Sequence, residues 1–208
     1  RSPIFFLANA VDDIDQEISH VIRGEDLIDT THRVLALRAA LHGGPQPVYA
    51  HLPLILAADR SKLSKRHGAV AVEEFRARGY LPEAIVNYLA LMGWSPGDDA
   101  REILSAAELV ELFELDRVTH ASGVFDEKKL EWMNGEWIRR LELAELVARV
   151  EPVARARFGE VVDPDTFRHA VSVAQERATT LVQLVDQMAF LHVPHKEFAT
   201  EVQAWGPE

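Results

Sequence analysis

Two short apolar segments on either side of one amphipathic stretch constrain what the first part of this chain can fold into. The segment ISHVI, residues 18–22, runs into the polar string RGED. The segment VYAHLPLILA, residues 48–57, runs up to a basic loop. Between them lies LIDTTHRVLALRAALHGG. Thr30 and Thr31 can cap a helix there, Val34, Leu35, Leu37 and Leu41 give it an apolar side, and Gly43 ends it. Strand, helix and strand in this order predict a piece of a parallel α/β sheet. The apolar run at residues 4–11 reads as a further buried strand.

Past the basic loop the pattern turns helical. LPEAIVNYLALMG places Pro82 near a first helical position and Gly93 at the stop. Ser105 and Glu108 have the spacing of a capping box before LVELF. Phe125 and Asp126 precede KKLEWMNGEWIRR, in which Leu130, Met133 and Trp137 share one face. LAELVARVEPVARARF and the segment at residues 166–191 are further helices. The expected breaks lie after Gly68 and near Glu151 and Pro152.

The loop SKLSKRHG, residues 61–68, gathers two lysines, an arginine and a histidine in a chain of formal net charge −11. An acidic chain has no bulk attraction for nucleic acid or anionic lipid, so any such contact must be local. The chain has no cysteine, which excludes disulfides and thiolate zinc sites and fits a reducing cytoplasm. No apolar run approaches the ~20 residues of a membrane-spanning helix. A charge run of this kind is commonly a solvated loop. Two ammonium groups just past a strand end also suit a polyphosphate, because ligands collect at the carboxyl ends of parallel strands.

Several motifs in one order decide between these readings. KLSKR at residues 62–66 resembles the KMSKS signature loop of class I aminoacyl-tRNA synthetases. Its neighbours HLPLIL and GYLPEAIVNYLALMGW resemble glutamyl-tRNA synthetases, as do NAVDD, HVIRGED and VFDEKKLEWMNGEWI at residues 9–13, 20–26 and 124–138. The resemblance is strong to about residue 140 and thinner beyond it. It implies an α/β region at residues 1–68, the second half of a Rossmann-like parallel sheet. A stem-contact region at 69–150 and a partial helical anticodon-binding domain at 151–208 would follow.

The same resemblance assigns roles. Lys65 and Lys62 would be catalytic, stabilising the charge that develops on the ATP phosphates. Asp26, Ile55, Leu63, Ser64 and Arg66 would complete the ATP site, with Ile55 touching adenine through its backbone. Phe5, Asn9 and Arg23 would bind glutamate; Phe5 stands where the family usually has tyrosine and lacks its hydroxyl donor. Arg23 also has a physical case, because a guanidinium forks onto a carboxylate; the alternative is a structural ion pair with Asp12, Asp13 or Glu25. Lys128, Lys129, Arg139, Arg140 and Arg177 are the candidate tRNA contacts, against an ordinary charged helix face. In the string WMN, Trp132 and Met133 read as core. His20 and His51 read as packing or hydrogen-bonding residues. His192 and His195 have a metal-like spacing but read as a surface pair.

The implied activity is that of a glutamate–tRNA ligase using ATP with Mg²⁺, L-glutamate and tRNA(Glu), with tRNA(Gln) a further candidate and no bound zinc expected. A monomeric, cytoplasmic parent is expected. The chain opens on Arg1 directly in an apolar segment and contains no HIGH-type motif, so it reads as part of a longer protein, inactive alone. The competing reading is a non-catalytic module that binds tRNA or a protein. Retention of both KLSKR and RGED favours the enzyme, since a binding module has no chemical need for both lysines. The helical extension past residue 150 argues against a relative that glutamylates a modified anticodon base and lacks that domain.

Overall fold

The computed structural model describes residues 5–64, 71–97, 101–119 and 121–192. The chain divides into two compact units. One takes Arg1–Leu63, Ala90–Arg101 and Val110–Phe125; the other takes Ser64–Leu89, Glu102–Leu109 and Asp126–Glu208.

The first unit begins with helix α1, Phe5–Asp15, followed by strand β1, His20–Gly24, helix α2, Ile28–Ala40, and strand β2, Val48–Leu52. β1 and β2 are parallel, in register from His20 opposite Val48 to Gly24 opposite Leu52. The expected strand–helix–strand is therefore present. The strand expected at residues 4–11 is instead a helix. A short apolar run does not separate the two by itself. The deciding spacing is Phe6, Ala10 and Ile14, four residues apart, which sets Ala10 fully buried with α1 packed on α2. The second strand stops at Leu52 rather than residue 57, because Pro53 cannot donate to the ladder.

The threonines expected as caps sit inside the first turn of α2. Both hydroxyls donate back to the Leu27 carbonyl, at 2.7 Å from Thr30 and 3.3 Å from Thr31. At the other end Arg38, 6% exposed, donates through Nη2 to the carbonyls of Gly43 and Pro45, which ties down the connection into β2.

The second unit is helical among its described residues. It contains α3 (Val72–Ala77), α4 (Pro82–Leu91), α5 (Ala106–Leu112) and α6 (Glu127–Arg140), the outer turns of α4 and α5 falling in the first unit. α7 (Leu143–Phe158), α8 (Pro164–Gln175) and α9 (Leu181–Gln187) follow. Several starts follow the sequence signals. Ser105 and Glu108 form the reciprocal capping box, and the Asp126 carboxylate accepts from the Lys128 and Lys129 amides. Pro152 lies inside α7, which runs unbroken past it. One core joins α4, α6, α7, α8 and α9, with Ile138, Leu146, Val150, Val171 and Leu184 fully buried.

Two buried asparagines tie that core together. Asn134 Oδ1 accepts from the Leu81 amide at 2.7 Å, and its Nδ2 donates to the Thr179 carbonyl at 2.6 Å. Asn87 Oδ1 accepts from the Leu104 amide at 3.1 Å and from Trp137 Nε1 at 3.2 Å. Gly79 lets the chain close on the start of α9. Its φ is +82°, its carbonyl accepts from the Leu181 amide at 2.9 Å, and a Cβ there would fall 2.6 Å from the Val182 nitrogen. Trp132, expected in the core, is 43% exposed. The inward stripe of α6 is Leu130, Met133, Asn134, Trp137 and Ile138, and position 132 lies about 200° around the helix from Leu130.

Asn134→Ala leaves a buried amide and a carbonyl without partners, and should cost about 2–4 kcal/mol of unfolding free energy in urea titration. Val173→Ala, at an exposed site of α8, should change it by under about 0.5 kcal/mol. Equal effects of the two substitutions would contradict the structural role of Asn134.

Candidate active site

Parallel pairing brings the carboxyl ends of β1 and β2 to one edge, and the residues that leave the strands there carry the polar chemistry of the first unit. Arg23 lies one residue before the end of β1. Its Nε donates to His51 Nε2 on β2 at 3.3 Å. Its Nη2 donates to Thr31 Oγ1 at 2.7 Å and to the Leu27 carbonyl at 3.3 Å. Its Cζ lies 5.5 Å from the Tyr49 ring centroid, a cation–π contact. Among the described residues Arg23 has no carboxylate partner, so the structural ion pair with Asp12, Asp13 or Glu25 does not form there. Glu25 is used otherwise: its Oε1 accepts from the Leu54 amide at 3.1 Å and fastens the exit of β2 to the exit of β1.

That exit leads into a tight reversal. Leu56 bridges to Lys62 and to Val124, and its amide donates to the Gly123 carbonyl at 2.9 Å. The Ala57 amide donates to the Ser61 carbonyl at 2.8 Å, and Arg60 sits in the left-handed region at φ +64°. Asp59 Oδ1 accepts from both the amide and the hydroxyl of Ser61. Ile55, read as the end of a strand, lies three residues beyond β2, and its carbonyl accepts from the Leu63 amide at 3.0 Å. The start of the basic loop is thus rooted in backbone hydrogen bonds.

Lys62 Nζ donates to Asp26 Oδ2 at 3.0 Å, with the side chains 62% and 47% exposed. The hydrogen bond and the charge of Lys62 hold the Asp26 carboxyl below its ordinary range. The pairing is therefore intact across neutral pH and is lost only as pH falls through that lowered value. An exposed pair of this kind is weak and screened by salt, so an anion of higher charge can take the lysine over.

The remaining expected residues divide. Phe5 and Asn9 lie one turn apart on α1, Phe5 being exposed, and among the described residues neither is hydrogen-bonded to Arg23. His20 begins β1, three residues from Arg23, so its side chain leaves the opposite face; its ring contacts Ser19 Oγ at 3.0 Å. Lys65, Arg66 and His195 lie outside the described residues. His192 stacks on Phe158 with centroids 4.2 Å apart. In the second unit Lys129 pairs with Glu102 and Arg139 with Glu136, whereas Lys128, Arg140 and Arg177 form no ion pair among the described residues. From the sequence Glu25 reads only as a possible ion-pair partner of Arg23 and Thr31 only as a helix cap, Tyr49 carries no signal, and His51 reads as a packing or hydrogen-bonding residue. The signal that could have found the first two is their nearness to Arg23, one in the same RGED string and one eight residues on, in the first turn of α2.

Residues 1–132 match the family model described as tRNA synthetases class I (E and Q), catalytic domain. Over 197 residues the chain is 44% identical to glutamate–tRNA ligase 1 of Syntrophomonas wolfei, covering 94% of this chain and 39% of that protein. It is 46% identical over 194 residues to the glutamate–tRNA ligase of Thermobifida fusca, covering 91% and 40%. A crystal structure of a glutamate tRNA ligase from Elizabethkingia meningosepticum, in complex with its amino acid, superposes with a TM-score of 0.83. That pair is 30% identical, over 99% of this chain and 44% of the other. The chain thus spans about two fifths of the length of the curated relatives it matches. With the strand-end arginine, the basic loop and this match over more than half its length, the chain belongs to the class I (E and Q) tRNA synthetase family, residues 1–132 matching its catalytic domain.

Proposed function

We propose that the protein carrying this chain is a glutamate–tRNA ligase, and that the carboxyl edge of β1 and β2 is part of its activation site. The observation that carries this reading is Arg23. Its guanidinium is oriented at the strand ends by neutral acceptors, its Nη1 makes no hydrogen bond among the described residues, and no carboxylate there neutralises it. Such a group binds a substrate carboxylate without first breaking an ion pair. Phe5 and Asn9 would complete the glutamate pocket, the first as an aromatic wall and the second as an amide contact.

In the reaction, a glutamate α-carboxylate oxygen bonds to the α-phosphorus of ATP and the bond from that phosphorus to the bridging oxygen breaks. Glutamyl-adenylate forms and pyrophosphate leaves. A hydroxyl of the 3′-terminal ribose of tRNA then attacks the acyl carbon and AMP departs. Both steps are mainly alignment and charge stabilisation. Lys65 and Lys62 would offset the charge on the leaving pyrophosphate, with the backbone of Ile55 and Leu63, and Ser64 and Arg66, around the nucleotide. Magnesium would enter with the triphosphate, held chiefly by its oxygens and by water. Release of Lys62 from Asp26 would accompany ATP entry, and Asp26 would remain beside the nucleotide.

The acceptor would be tRNA(Glu), with tRNA(Gln) a second candidate. Residues 69–150 would meet the acceptor stem and residues 151–208 would begin the anticodon-binding helices. Lys128, Arg140 and Arg177 are the better phosphate contacts, because the charges of Lys129 and Arg139 are already offset.

ATP–pyrophosphate exchange by the complete gene product, with glutamate and tRNA, tests the reading; binding of tRNA without exchange would favour a non-catalytic module. Arg23→Ala should raise the glutamate KM roughly ten- to hundredfold, the loss of one charged hydrogen-bonding group. Lys65→Ala should lower kcat for activation by about 10²–10³, with unaltered adenylate formation contradicting the role of the loop. Lys128→Ala and Arg140→Ala should each weaken tRNA binding and reduce the salt slope by roughly 0.7–0.9. Lys129→Ala should change that slope less, and an equal change would remove the distinction between paired and unpaired side chains.

A further inference from the structure

We propose that His51 is a positioning residue for Arg23: its Nε2, together with the Thr31 hydroxyl, holds the guanidinium so that Nη1 is the edge presented to an incoming carboxylate. This rests on the reading of Arg23 as a glutamate-binding residue.

A guanidinium has five N–H groups. In this chain Nε gives its one hydrogen to His51, and Nη2 gives its two to Thr31 Oγ1 and the Leu27 carbonyl. The two hydrogens of Nη1 are what the described residues leave over. A side-on fork through Nε and Nη2 is thereby closed to substrate, and approach along Nη1 stays open. Thr31 is itself held: its hydroxyl donates to the Leu27 carbonyl and lies 3.4 Å from His51 Nε2. A long side chain that is ordered before binding avoids the entropic loss of being ordered by the ligand.

His51 can do this only as a neutral ring with its proton on Nδ1, since Nε2 must accept. Three groups face the ring: Arg23 from β1, Tyr49 from β2, stacked at 6.5 Å and 10°, and the Thr31 hydroxyl from α2. Burial first, and the Arg23 charge second, push the pKa of His51 below the ordinary histidine value. The acceptor is therefore available above that ordinary value. It is lost as pH falls through the lowered one, where protonation sets two cations against each other.

The test compares His51→Ala, His51→Gln and Arg23→Ala in the complete gene product, by glutamate-dependent ATP–pyrophosphate exchange. His51→Ala should raise the glutamate KM by about tenfold and leave the ATP KM within about twofold. His51→Gln, which keeps a neutral acceptor, should restore most of the loss. The wild-type glutamate KM should climb as pH falls through the lowered His51 value, beneath the ordinary histidine range, and that climb should be absent in His51→Gln. An unchanged glutamate KM in His51→Ala, when Arg23→Ala raises it, overturns the positioning role and leaves the glutamate reading standing. An unchanged KM in Arg23→Ala overturns the glutamate reading instead. Solvent exchange of the Arg23 Nε–H, followed by NMR, then decides the positioning separately. It should be slow in the wild type at about pH 7.5 and fast in His51→Ala, and equal rates in the two proteins overturn the proposal.

Discussion

Parallel pairing of His20–Gly24 with Val48–Leu52 is the constraint on which the candidate site depends. Because the strands run the same way, their carboxyl ends meet. Arg23 near the end of β1, and Glu25 and Asp26 just past it, then lie beside His51 of β2 and Leu54 just past that strand. In an antiparallel pair the same residues would lie at opposite ends of the ladder. Three short-range ties turn this proximity into geometry: Arg23 to His51, Glu25 to the Leu54 amide, and Asp26 to Lys62. They join the two strand exits at successive positions along the string RGED. The pairing needs a crossover helix between the strands, and α2 supplies both that connection and the Thr31 hydroxyl that receives Arg23.

The second unit solves a different problem. Its helices bury an aliphatic core, which is tolerant of many arrangements. Asn134 adds direction, because its amide is satisfied only when the Leu81 amide and the Thr179 carbonyl arrive together, and the Asn87 side-chain oxygen adds a tie to the Leu104 amide and the Trp137 indole. Asn134 fixes Leu81 before α4 and Thr179 before α9, and Gly79 permits the close approach that the same junction needs. A buried polar group with satisfied partners thus selects one packing among several that aliphatic contacts alone would allow.

Reading the sequence alone succeeded where one signal dominated. The crossover between β1 and β2 and the capping box at Ser105 and Glu108 were readable, because local chemistry and hydrophobic spacing agree there. It failed at α1, where an eight-residue apolar run satisfies both helical and strand periods until the packing of Ala10 is known. It failed at Trp132, because neighbouring residues of a helix point to different sides and only Met133 of the adjacent pair faces inward. The site was partly readable: the basic loop and Arg23 stand out as charge placed at strand ends. His51 and Thr31 did not stand out as Arg23's partners, since they lie 28 and 8 residues from it, and the sheet register brings His51 to it while the first turn of α2 brings Thr31.

The most direct measurement is a crystal structure of the complete gene product bound to a non-hydrolysable glutamyl-adenylate analogue. The expected result is a carboxylate oxygen of the glutamyl group about 2.7–3.2 Å from Arg23 Nη1. His51 and Thr31 should still hold the other two nitrogens, and the phosphate should lie toward the basic loop. An analogue held elsewhere, with Arg23 turned into an ion pair with a carboxylate of the protein, would contradict it.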